Sequence, residues 1–199
     1  MIFKTHQLYD MLCEQCFLSL KPLNKWRKDF FKDVLWLFLS IKGKINFLQL
    51  KRYGNSCEQR YRQQFEQPFE FLTFNSAIVE THCSLHRVIG FYPSYIPKSG
   101  KKTCGTGRYW SGCAGTAKWE LEICGIAAID LENHMAMHLE AVQTVFEKDE
   151  NQLDFYANVL IQRKEGLLKM SDTIVADAYF SKQPFVDAVF HKNLSDQVT

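Results

Sequence analysis

Residues 173–182 read TIVADAYFSK, an apolar β-branched run that ends in one acid, Asp177, and a polar turn. Flanked on both sides by segments of helical period, such a run predicts a buried parallel strand whose carboxyl end presents Asp177 at the edge of a sheet. Catalytic side chains gather at such strand ends in α/β folds. The same acid would also serve simply as the cap of the following turn.

A second group of residues suits binding rather than catalysis. Between Lys42 and Arg62 stand six basic residues (Lys42, Lys44, Lys51, Arg52, Arg60, Arg62) and one acid, Glu58, a local excess of 6 − 1 = +5. That is an electrostatic footprint for nucleic acid. Gln59, Arg60, Arg62, Gln63 and Gln64 follow a Gly54–Asn55 breaker and are side chains able to read base edges. Ser56 with Gln59 three residues on predicts a capping box that opens a helix running to Pro68. Two helices joined by a short glycine-containing turn suit a helix-turn-helix, and equally an ordinary solvated helical pair.

Further along, YIPKSGKKTCGTG gathers Lys98, Lys101 and Lys102 around Ser99 and Gly100, where backbone amides and ammonium groups meet phosphate together. It is not a P-loop, because Tyr95 stands where that motif needs its first glycine. Cys13 and Cys16 form a CxxC without the second ligand pair of a zinc site, and read as helical core thiols. His82 with His86, and His134 with His138, stand four apart but lack the HExxH glutamate, so histidine metal binding is not expected.

The elements that must position these groups follow from periodicity. Trp26, Phe30, Val34, Leu37, Phe38 and Ile41 recur at helical intervals, and Ile45, Leu48 and Tyr53 continue the period after Gly43. Residues 85–91, LHRVIGF, predict a strand that Pro93 ends. In residues 118–131, Trp119, Leu121 and Ile123 alternate with charged neighbours before the run becomes wholly apolar, a strand pattern. After a turn at Glu132 and Asn133, residues 134–144 alternate again, so three antiparallel strands form a meander. Asp130 reads as part of the turn chemistry of DLEN. Asn151 caps a helix over residues 151–170, and residues 185–190 begin another after the Asp177 strand.

The bulk properties are those of a packed α/β protein. The chain has 199 residues, a hydrophobic fraction of 46% and 16 Phe, which argue for a real core and against disorder. A net charge of +2 excludes a globally basic nucleic-acid binder, so the footprint must be local. Seven cysteines make an odd set with no regular framework, and MIFKTHQLYD lacks a signal-peptide pattern, so reduced thiols in a cytoplasm are the expectation. The longest apolar run, residues 34–39, is too short for a bilayer, and no membrane partner is expected.

Three meandering strands, a helix and a fourth strand ending in a carboxylate are the opening order of the ribonuclease H-like fold. Residues also carry a family resemblance: GFYPSYIPKSGKKT, GRYWSGCAG, HLEAVQT and VADAYFSKQPFVD resemble the DDE transposases of bacterial insertion sequences. INFLQLKRYGNSCEQRYRQQFEQPFEFLTFN resembles the DNA-binding region of the same group, which favours the helix-turn-helix. The resemblance implies a helical DNA-binding region over residues 1–80 and a ribonuclease H-like catalytic domain over residues 81–199. It implies transposon-end DNA as the partner, a homodimer, and a place at the nucleoid in the bacterial cytoplasm.

It also implies chemistry: two Mg²⁺ or Mn²⁺ ions, held by two aspartates and a glutamate, activate water or a DNA 3′-hydroxyl for in-line attack on phosphate. Asp177 matches the second acid. Tyr92 occupies the position of the first, just before Pro93. A phenol supplies neither the charge nor the two-oxygen bite that a divalent cation takes from a carboxylate. The glutamate of the family lies on a helix beyond a fifth strand, past residue 199. The expectation is therefore a truncated, catalytically impaired transposase with the Asp177 strand left as a sheet edge. The alternative is a DNA-binding remnant that competes for element ends without catalysis.

Overall fold

The computed structural model describes residues 2–20, 23–97, 103–111, 114–145 and 151–191. The chain divides into two units, Met1–Ala77 and Ile78–Thr199.

The first unit is helical: α1 (Ile2–Leu18), α2 (Lys25–Ser40), α3 (Phe47–Tyr53) and α4 (Glu58–Phe65), with α5 (Phe71–His82) running across the division. Asn24 and Asn46 cap α2 and α3, their side chains accepting from Arg27 N at 2.8 Å and Gln49 N at 3.0 Å. Phe30, Val34 and Leu37 are spaced at helical intervals and bury one face of α2 against Leu50 of α3 and Tyr61 of α4. Gly54, between α3 and α4, is required by close approach, since a Cβ there would stand 2.1 Å from Tyr61 Oη and 2.8 Å from Leu50 O. Cys13 and Cys16 are buried on α1, as the sequence predicts. The predicted capping box does not form: the N-cap of α4 is Cys57, one residue later than Ser56, and it gives no side-chain cap.

The second unit is a mixed five-stranded sheet with helices. Strands β1 (Arg87–Pro97), β2 (Thr106–Ser111), β3 (Thr116–Asp130) and β4 (Met135–Gln143) are followed by α6 (Gln152–Leu168), β5 (Ile174–Ala176), a 3-10 turn (Ala178–Ser181) and α7 (Gln183–His191). β3 pairs antiparallel with β1, β2 and β4, and β5 pairs parallel with β1. The three predicted antiparallel strands are present, and β2 is an addition to them: Gly107 interrupts its pattern and hides it from a search for alternation.

Pro93 does not end β1, which continues to Pro97 opposite β3. Ile89 N donates to Thr173 O at 2.9 Å and Leu131 N donates to His86 O at 3.0 Å, so odd-numbered residues of β1 turn their nitrogens away from β3. Pro93 belongs to that set, and the pairing with β5 stops at Phe91. Its missing N–H therefore falls on an open edge and costs no ladder bond. β5 itself is a three-residue strand at the end of the sheet, and so short an edge offers little template for pairing with another chain.

The core of this unit lies between one sheet face and α6. Ile89, Phe91, Cys124, Ile126 and Ala128 point to it, and the ring of Phe91 packs edge-on against Tyr156, 5.5 Å between centroids, and against Phe180 at 5.1 Å. Asn151 caps α6 as predicted, accepting from Asp154 N at 3.0 Å. On the other face Tyr92 and Val175 are exposed.

Candidate functional site

Asp177 follows the last residue of β5, and Tyr92 is the residue after Phe91 of β1. The parallel register pairs Phe91 with Ala176, so Tyr92 and Asp177 are the next positions along two neighbouring strands. Asp177 is exposed and caps the 3-10 turn, its Oδ1 accepting from Tyr179 N at 3.0 Å. Tyr92 is half-exposed and its ring lies over Gly125, the residue opposite it on β3; a Cβ on Gly125 would stand 3.2 Å from the ring.

Behind this strand end runs a polar chain that periodicity did not disclose. Tyr179 Oη donates to Gln152 Oε1 at 2.9 Å, and Gln152 Nε2 donates to both oxygens of Glu122 at 3.0 and 3.1 Å. Tyr156 Oη donates to Glu122 as well. Glu122 is fully buried on β3, on the same face as Phe91, and is held by neutral donors. Burial, then the neighbouring carboxylate, pushes the Tyr156 hydroxyl far above the usual phenol range and that of Tyr95 up to about 12. Both phenols remain protonated donors around Glu122 at neutral pH. Alternation along β3 is as predicted, yet the buried face is the one that carries Glu120 and Glu122, while Trp119 is exposed. A glutamate between apolar neighbours resembles a solvated strand face until its donors, thirty and thirty-four residues away, are brought to it.

At the carboxyl end of β3, Asp130 is also fully buried and accepts from Ser84 N and Oγ at 2.7 Å each, Glu132 N at 3.0 Å, Asn133 N at 3.1 Å and Asn133 Nδ2 at 2.8 Å. The Asn133 amide, followed by the Ser84 and Asn133 backbone donors, holds its carboxyl well below the usual range despite burial. The structural role read from DLEN stands, extended by the loop that leads into β1.

In the helical unit, Lys51 and Arg52 occupy the last turn of α3, and Gln59, Arg60 and Arg62 project from α4; all five are exposed. Two are engaged within the unit. Arg60 stacks over Trp26 at 4.0 Å, and Arg62 lies over Phe47 at 4.6 Å while pairing with Glu58, Nε to Oε1 at 3.0 Å. Lys51, Arg52 and Gln59 have no hydrogen bond or ion pair among the described residues. Lys98, Lys101 and Lys102 lie outside the described residues. His82 ends α5 while His86 precedes β1, and His134 sits in the β3–β4 turn with φ 52°. Among the described residues no group of three or more His, Cys, Asp or Glu is arranged to hold a metal ion, and no helix is long and apolar enough to cross a membrane.

Compared with protein-family models, curated proteins and solved structures, the chain matches none.

Proposed function

We propose that this chain is of the DDE transposase type, with a ribonuclease H-like second unit, and that it engages transposon ends while its strand-transfer chemistry is lost or very weak. The observation that carries the reading is the parallel pairing of β1 with β5, whose register runs to Phe91 and Ala176, so that positions 92 and 177 come next, one within β1 and the other just past the end of β5. Two carboxylates there would share Mg²⁺ or Mn²⁺. The donors present are one carboxylate, already capping a turn, and one phenol, a set that does not fit a divalent cation. The element order, antiparallel strands followed by α6 and a parallel β5, supports the fold assignment. The reading implies a homodimer holding two element ends on nucleoid DNA in the bacterial cytoplasm.

The direct test is nicking of the element's terminal DNA with Mg²⁺ or Mn²⁺. No cleavage is expected, and robust nicking by this chain overturns the proposal. Tyr92→Asp tests the placement of the site. Titrated with Mn²⁺ and followed by electron paramagnetic resonance, this variant should bind the ion roughly tenfold tighter or more, because ligand charge tunes divalent affinity over decades. Adding Asp177→Asn should remove the gain; no gain in Tyr92→Asp would show that the two positions do not form a site.

The second reading, a DNA-binding competitor without catalysis, is favoured by the exposed and unengaged Lys51, Arg52 and Gln59. Lys51→Ala and Arg52→Ala should each lower the salt dependence of DNA binding by about one counterion. Arg62→Ala should cost less than either, because its guanidinium is already paired with Glu58.

A further inference from the structure

The two arginines of α4 are held in opposite ways. Arg62 gives both Nε and Nη2 to Glu58 Oε1 and lies over Phe47, so its fork is closed on a carboxylate of its own helix. Arg60 has only a flat face engaged, the guanidinium lying over the ring of Trp26 at 4.0 Å, well within cation–π reach. Trp26 is itself supported: it stacks on Phe30, 5.7 Å between centroids at an interplanar angle of 23°, and Phe30 packs on the buried Tyr61, the neighbour of Arg60 in sequence. A guanidinium stacked through its face keeps its N–H donors at the rim. Among the described residues none of these donors has an acceptor, and Arg60 is exposed. Gln63 and Gln64, three and four residues on, share that side of the helix, and their side-chain amides likewise have no hydrogen-bond partner among the described residues.

We infer that Arg60 reads a guanine in the major groove of duplex DNA and that Trp26 is the positioning residue that aims it. The inference rests on the DNA-binding reading and deepens it by assigning the arginine, its support and its base. The rim of a guanidinium fits two acceptors in one plane, which DNA offers as O6 and N7 of guanine and as the oxygens of a phosphate. The neighbouring amides favour the base: a carboxamide both donates and accepts, as base edges in the major groove do, whereas phosphate oxygens only accept. An α-helix such as α4 is also the element that the major groove admits. Stacking on Trp26 restricts the long side chain before DNA arrives, so less freedom is lost on binding than for an unsupported arginine. Arg62 would first have to leave Glu58, which sets it apart from this role.

The test offers the full chain a library of random-sequence DNA duplexes at one salt concentration, sequences the bound fraction, and repeats the selection with variants. The parent chain should enrich a site with a guanine preferred roughly tenfold or more over the other bases at one position. Arg60→Ala should abolish the preference there and leave the rest of the site as it was, while Arg62→Ala should leave the guanine in place. Trp26→Leu, which stays apolar but offers no ring, should weaken the preference at the same position, and Trp26→Phe should restore it. A Trp26 that only supported the fold would lower binding to every sequence alike. Circular dichroism melts establish that each variant is folded. Binding without sequence preference, or an Arg60→Ala loss spread evenly over all sequences as for a phosphate contact, overturns the inference and leaves the DNA-binding reading standing. A guanine preference untouched by Trp26→Leu overturns the positioning role. Failure to bind any duplex in the library overturns both the inference and the reading beneath it.

Discussion

Strand β3 buries two acids, Asp130 at its end and Glu122 near its middle, each beside a loop or helix that must be fixed, and it holds them in different ways. At one end Asp130 is closed: its five donors come from the α5–β1 loop and the β3–β4 turn, so it clasps two connections that are distant in sequence. Near the middle of the strand Glu122 hands its order outward through Gln152 and Tyr179 to the backbone that Asp177 caps, and Asp177 itself is exposed. A carboxylate that is saturated by backbone donors is an architectural part. One with a single donor and an exposed oxygen retains capacity for a ligand. The difference makes Asp130 a poor candidate for a ligand-binding acid.

Asp130→Ala should have the largest effect, because it removes at once the buried acceptor shared by the N–H groups of Ser84, Glu132 and Asn133. Thermal melts should show a greater loss of stability than either substitution below. Its charge has a pH signature. The folded carboxyl is held below its unfolded value of about 3.9, so its contribution is complete above that pH and is lost as pH falls through the folded value. The stability gap between the parent chain and Asp130→Asn should therefore narrow below about pH 4; a gap that stays constant into acid would break the contrast.

Tyr156→Phe comes next. It removes a buried donor from Glu122 and should cost roughly 1–3 kcal/mol in denaturant unfolding. A smaller loss would mean that Gln152 and Tyr95 satisfy the carboxylate without it. Asp177→Asn should be the mildest, within about 0.5 kcal/mol, since asparagine caps a turn as well as aspartate and the site is exposed. A large loss there would make Asp177 architectural too and remove the distinction from Asp130.

Much of the architecture was legible because its signals are local. The heptad-like spacing of Phe30, Val34 and Leu37, the alternation along β3 and β4, and the Asn151 cap each lie within a few residues, and all appear where expected. Pro93 misled because a proline's effect depends on which side of the strand its nitrogen faces and on where the neighbouring strand stops. Ser56 misled because the helix begins one residue later, which takes its side chain out of capping position. The basic residues of α4 were correctly seen as exposed, but nothing in their spacing foretold that Arg60 would stack on Trp26 or that Arg62 would lie over Phe47.

By itself the sequence determined most of the helices and most of the strands, the local basic excess and the presence of an acid at the end of a short apolar strand, while α5 went unpredicted. Only the tertiary structure decided which face of β3 is buried, that β5 pairs parallel with β1 as far as Phe91 and Ala176, and that Glu122 and Asp130 find their donors on other elements. The reason is range. Backbone propensity and side-chain period act over a turn of helix or a pleat of strand, whereas the partners that satisfy a buried polar group, or fail to, are delivered by other elements.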